Sequence, residues 1–192
     1  MKKTLEQIKA DFKDSIVLPE IKNKEQIFFC PVGLVGAGKT TVTKPISEKL
    51  NLVRVSSDEL RKMLKENGFD YSFVKEIGTD VIKDYTSEGY SISFDMDCGN
   101  PEIKEFVETL KKEFGGRIIF VHINTPEEFI FNKFRKHPPS WMANNPQDMI
   151  DNYIKQKEKR AIENIHFDFV YTFDTSKDDL ERQINDFIKK FK

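Results

Sequence analysis

Residues 33–41 read GLVGAGKTT. Gly33, Gly38, Lys39 and Thr40 stand at the spacing G-x-x-x-x-G-K-[ST], the pattern of a loop whose backbone N–H groups converge on phosphate. Convergence needs side chains out of the way and some residues at positive φ, and glycine provides both without a steric penalty. Gly33, Gly36, Ala37 and Gly38 are therefore read as a cradle, with Lys39 reaching the β- and γ-phosphates of a nucleoside triphosphate. The Thr40 hydroxyl is the expected Mg²⁺ ligand, with Thr41 as its neighbour in the cradle. A loop of this kind opens a helix, whose N-terminal dipole adds attraction for anions.

Three further segments carry residues that suit phosphoryl chemistry. In VSSDELRKML (residues 55–64), Asp58 follows a β-rich run and Arg61 lies one helical turn beyond it. A carboxylate there can accept the proton of a hydroxyl that attacks the γ-phosphorus in line, and the arginine can hold an acceptor's phosphate or order the transferring group. The alternative is that Asp58 only caps its helix and Arg61 is a solvated charge. SISFDMDCGN (residues 91–100) is a strand pattern ending in Asp95 and Asp97. NKFRKH (residues 132–137) gathers Lys133, Arg135 and Lys136 before a proline-rich stretch, residues 136–147, that contains Trp141. A closing segment delivers a cation to developing charge in this way, while a solvated basic helix end is the competing reading. Trp141 either anchors such a lid to the body or stacks on a base or sugar. Residues 153–160, YIKQKEKR, read as a solvated face, with Lys155, Lys159 and Arg160 as lesser lid candidates.

These groups meet only if the chain brings several strand ends to one edge. Five short apolar runs rich in Val, Ile, Phe and Tyr, QIFFCPV, LVRVSS, YSISFDMD, RIIFVHIN and FDFVYTFD, alternate with segments of helical period. Runs apolar on both faces are those of a parallel sheet covered on both sides. Strand, helix and strand in repetition predict right-handed crossovers, a doubly wound sheet and a ligand at the carboxyl ends of the strands. Residues 1–24 read as an amphipathic helix with a connector, packed on the sheet or at an interface, and residues 25–192 as the main domain. A lid is expected over about residues 132–160. Pro45, inside the helix after the cradle, removes a backbone donor and predicts a kink.

Composition narrows the classes. With 192 residues and a formal net charge of −1, the chain suits one α/β domain and presents no global polycation for nucleic acid. The charged N-terminus has no apolar signal core, and no stretch approaches the roughly 20 apolar residues of a membrane helix. A soluble, cytoplasmic protein is the expectation. Cys30 and Cys98 are far apart and His122, His137 and His166 stand singly, so neither a disulfide framework nor a metal cluster is read; the cysteines are taken as small buried hydrophobes. A guanine-nucleotide switch would need N-K-x-D after a late strand, where the chain has HINTPEE. A motor would carry an adjacent acid pair where Asp95 and Asp97 are separated by Met96.

GLVGAGKTT, SSDELR, a strand ending in aspartate and TPEEFIFNKFRKH before a proline-containing lid together resemble the P-loop kinases grouped around polynucleotide 5′-hydroxyl kinase, with zeta-toxin-like and small antibiotic or sugar kinases as relatives. The resemblance runs from about residue 27 to 176. It implies a P-loop NTPase fold, a three-layer α/β/α sandwich with a five-stranded, mostly parallel sheet and a helical lid. It also implies ATP with Mg²⁺ and a hydroxyl acceptor. Asp58 falls on the family's general base, Arg61 on its phosphate-supporting arginine, Asp95 on the aspartate ending the third strand, with Asp97 a near rival, and Arg135 on the lid arginine. The family's other lid arginine falls on Phe131, a departure from strict polynucleotide kinases. The expected activity is transfer of the γ-phosphate of ATP to a polynucleotide 5′-hydroxyl or a small metabolite, with Lys39, Asp58, Arg61 and Arg135 catalytic and Thr40 and Asp95 around the metal. A nucleoside monophosphate kinase is one alternative; Arg61 is the only arginine between the second and third strands, fewer than a phosphorylated acceptor asks for. An ATP-sensing interaction module is the alternative from another class.

Overall fold

A phosphate cradle at the end of a strand needs a rigid sheet behind it, and the chain builds one. The computed structural model describes residues 3–137 and 145–191; Trp141 and most of the proline-rich stretch around it lie outside the described residues. The strands are β1 (Ile27–Val32), β2 (Val53–Ser56), β3 (Ile92–Asp95), β4 (Arg117–Ile123) and β5 (Tyr171–Phe173). They form one sheet in the order β2-β3-β1-β4-β5, and every pairing is parallel. β1 is central, as its six buried residues require.

The helices are α1 (Leu5–Ser15), α2 (Lys39–Leu50), α3 (Ser57–Glu66), α4 (Phe73–Ser87), α5 (Pro101–Phe114), α6 (Glu127–Lys136), α7 (Pro146–Glu163) and α8 (Leu180–Phe191). Two cores lie on opposite faces of the sheet, and the period of β1 divides them: Ile27 and Phe29 face α2, α6, α7 and α8, whereas Phe28, Cys30 and Val32 face α1, α3, α4 and α5. This is the three-layer sandwich that the sequence pattern predicts.

One detail departs from the pattern. Only Tyr171–Phe173 of the run FDFVYTFD is strand. Phe167 and Phe169 instead fold over the face of β4, with Phe167 5.1 Å from the Phe120 ring and Phe169 stacked 4.8 Å from His122. Helix α2 carries Pro45 within its span.

The N-terminal helix is seated in the second core. Thr4 and Gln7 form a capping box at its start. Ile8 and Phe12 are fully buried among residues of α3 and α4, and Lys9 and Lys13 reach Asp80 at 2.6 Å and Asp84 at 2.9 Å on α4. Among the described residues no helix is long and apolar enough to cross a membrane.

Candidate active site

The loop between β1 and α2 takes the conformation its glycines permit. Gly36 has φ of 80° and Gly38 has φ of 94°, values costly to any residue with a Cβ. Space forbids a side chain as well: a Cβ at Gly36 would lie 2.4 Å from the Phe134 ring, and one at Gly38 would lie 2.6 Å from Thr175 Oγ1. The loop is gripped from behind, because the hydroxyls of Thr125 and Thr175, just past the ends of β4 and β5, both reach the Ala37 carbonyl oxygen at 2.8 Å.

Lys39 folds over this loop and donates to the carbonyls of Gly33 at 2.9 Å and Leu34 at 3.0 Å. Burial lowers its pKa below the ordinary 10.5, against the opposing pull of Asp97, Asp58 and Asp95. A buried ammonium held by two backbone carbonyls is a group that an anion such as phosphate would suit.

Three carboxylates face the cradle from neighbouring strand ends. Asp95, at the end of β3, is buried; one oxygen accepts the Thr40 hydroxyl at 3.0 Å and the other accepts Arg54 Nη1 at 2.5 Å. Asp97 accepts the Gly33 N–H at 3.2 Å and the Gly99 N–H at 3.0 Å, and it pairs with Arg160 of α7. Asp58 lies in the first turn of α3. Ser56, not Asp58, is the N-cap of that helix, accepting from the Glu59 N–H. Asp58 is thus left for other work, and its carboxylate accepts Arg61 Nη1 at 2.7 Å. Arg61 is also held by Ser57 Oγ at 3.0 Å.

Lys39, Thr40 and the three carboxylates open on one cavity of about 950 Å³, walled by the loop and strand ends on one side and by α7 residues such as Gln156 and Arg160 on the other. Gly36, Gly38, Lys39, Thr40, Thr41, Asp58, Arg61 and Asp95 all line it. Gly33 and Ala37 form the floor of the loop behind. Arg135 does not line it: its guanidinium donates to Asn132 on the same helix, at 3.1 Å, and stays exposed. Arg160, on the next helix α7 and one of the lesser lid candidates, does line it. Phe131, where the resemblance to polynucleotide kinases implies a second arginine, packs edge-on against Tyr153 of α7, 5.2 Å between ring centres, so it joins α6 to α7.

Two contributors escape the motif reading. Arg54 bridges Asp95 and Glu59; its signal was a lone charge inside the apolar run LVRVSS. Gln156 accepts the Val35 N–H at 3.3 Å, a contact across 121 residues that no local pattern announces. The Thr40 hydroxyl and the Asp95 carboxylate are hard oxygen donors at one point of the cleft, a set that suits Mg²⁺, which keeps most of its shell for water and phosphate. Among the described residues no group of three or more His, Cys, Asp or Glu forms a self-sufficient metal site.

A family model described as an AAA domain, AAA_33, matches residues 29–152, from within β1 into α7. The chain belongs to this AAA-domain family. No curated protein matches it in sequence. Among solved structures it is similar to the Mycobacterium tuberculosis APS kinase CysC in complex with AMPPNP and APS, at 15% identity and a TM-score of 0.55, covering 88% of this chain and 99% of that one. A structure from the PezAT chromosomal toxin-antitoxin system of Streptococcus pneumoniae matches at 18% identity and a TM-score of 0.61, covering 91% and 79%. Shikimate kinase from Acinetobacter baumannii, in complex with shikimate, matches at 22% identity and a TM-score of 0.51, covering 95% and 96%. At these identities the likeness is one of fold: this AAA-domain chain has the α/β architecture of small P-loop kinases.

Proposed function

We propose that the protein is an ATP- and Mg²⁺-dependent kinase that transfers the γ-phosphate to a hydroxyl group. The observation that carries this reading is that Asp58, spared from capping its helix by Ser56, lines the same cavity as Lys39 and the cradle. A carboxylate beside a phosphate cradle has a use in proton transfer and none in a pure nucleotide sensor. The burial of Ile8 and Phe12 in the core also removes the apolar face of α1 from the partner docking that a sensor would assign to it. The fold's likeness to an APS kinase and a shikimate kinase supports the same class.

In this reading the backbone of residues 33–41 and Lys39 hold the triphosphate. Thr40 and Asp95 hold Mg²⁺, which supplies neutralisation of phosphate charge when bound. Asp58 takes the proton of the acceptor hydroxyl as that oxygen bonds to the γ-phosphorus; the bond from phosphorus to the bridging oxygen breaks, and ADP leaves with its electron pair. Arg61 keeps the Asp58 carboxylate oriented. Arg160, rather than Arg135, leaves Asp97 for the transferring phosphoryl group.

The test is transfer of labelled γ-phosphate with Asp58→Asn as control. The variant is expected to bind ATP with unchanged affinity and to lose about 10²- to 10⁴-fold in transfer. Undiminished transfer by Asp58→Asn would remove the base from the mechanism.

A further inference from the structure

Beyond Asp58 the cavity continues as a trough between α3, α4 and α5. Its floor is apolar, with Lys75, Thr79 and Glu102 also lining the trough. Val74, Gly78 and Ile82, four residues apart, form one stripe along α4; Leu60 of α3 and Ile103 and Phe106 of α5 face it. Gly78 sets the width of this trough. It sits in the middle of a helix where glycine is otherwise a liability, and a Cβ there would meet nothing closer than Leu60 Cδ2 at 3.9 Å. The missing side chain leaves room above an apolar floor.

The charges around the trough cancel. Arg61 pairs with Asp58 at 2.7 Å, Lys75 with Glu102 at 2.8 Å and Lys159 with Glu163 at 3.6 Å. A polynucleotide or a phosphorylated acceptor asks for cations in excess of acids along its path. A neutral molecule with an apolar face asks for what is present: an apolar floor, a neutral rim and one carboxylate at the end where its hydroxyl must sit.

We propose that this trough is the acceptor site and that it takes a small, neutral alcohol with an apolar face. The inference rests on the kinase reading above. The acceptor enters between α4 and α5, lays its apolar face over Gly78 and presents one hydroxyl to Asp58.

The experiment offers ATP labelled at the γ-phosphate, with Mg²⁺, to two sets of acceptors. The neutral set holds nucleosides, hexoses, cyclitols and aromatic alcohols; the anionic set holds nucleoside monophosphates, sugar phosphates and 5′-hydroxyl oligonucleotides. Wild type, Gly78→Ala and Gly78→Leu are compared, with affinity for a non-hydrolysable ATP analogue measured alongside. Label is expected in the neutral set. Gly78→Leu should lower kcat/KM for that acceptor by about tenfold or more with analogue binding intact. Gly78→Ala, which fits the helix, should raise the acceptor KM in the same direction and so keep the test valid if the leucine variant fails to fold. Label confined to the anionic set would overturn the acceptor class and leave the kinase standing. Neutral transfer indifferent to both substitutions would overturn the location. Label on nothing, beside tight analogue binding, would overturn both this proposal and the kinase reading.

Discussion

Lys39 carries its charge into a place where burial works against it. A lysine whose folded-state pKa is depressed binds fewer protons in the folded chain than in the unfolded one between that value and 10.5. The contribution of this group to stability is therefore lowest below the depressed pKa and rises with pH through the window up to 10.5. Urea unfolding of wild type relative to Lys39→Met is expected to show wild type gaining on the variant from pH 7 to pH 10.5; a difference constant with pH would contradict it. The same buried charge is what a bound phosphate would satisfy, so the cost to the fold is the source of affinity. Arg160 and Arg135, the two candidate lid arginines, make a second prediction at this scale. Arg160→Ala should lower kcat by about two to three orders of magnitude, whereas Arg135→Ala, at an exposed position bonded to Asn132, should leave kcat within about threefold, as a surface change does. Equal effects of the two would return the role to α6.

At the scale of elements, the cradle depends on its neighbours as much as on its own glycines. Gly36→Ala would force a Cβ into a left-handed backbone and against the Phe134 ring, so a loss of about 1–2 kcal/mol in unfolding free energy is expected from the backbone alone, with weakened nucleotide binding as α6 is pushed away. A thermal melt unchanged from wild type would show that α6 yields freely. The strands were legible because parallel, doubly covered strands are continuous apolar runs, and the helices because their caps, such as Asn100 with Pro101, are local signals. Half of FDFVYTFD misled for the same reason. Phe167 and Phe169 are apolar because they cover the face of β4, and composition does not separate a residue within a sheet from one lying on it. The cradle, Asp58 and Asp95 were legible from spacing. Arg160 was legible only as a lesser lid candidate, and Arg54 and Gln156 not at all, because these contacts span 41 to 121 residues and nothing in the local pattern marks a helix face as inward.

For the molecule as a whole, the cleft is a contact zone between the sheet edge and α7, held by the Arg160–Asp97 and Gln156–Val35 contacts. A ligand seated there adds its binding energy to the folded state only. A non-hydrolysable ATP analogue with Mg²⁺ at 100 times its Kd should add about 2.7 kcal/mol, which for a chain of this size raises Tm by about 5–10 °C. The absence of a shift would argue against nucleotide binding at the cradle. The two thiols fit the same closed body: Cys98 is fully buried and its pKa is pushed well up by burial and then by the neighbouring Cys30, so it behaves as packing.

The grip of Thr175 on the Ala37 carbonyl spans 138 residues, and it bears on the order in which the molecule is made. The whole glycine motif leaves the ribosome early, yet its rear support arrives with the last strand. A nascent chain ending before residue 175 would hold every letter of the motif and only part of its mould, so the loop gains its full rear support only once β5 and Thr175 are in place.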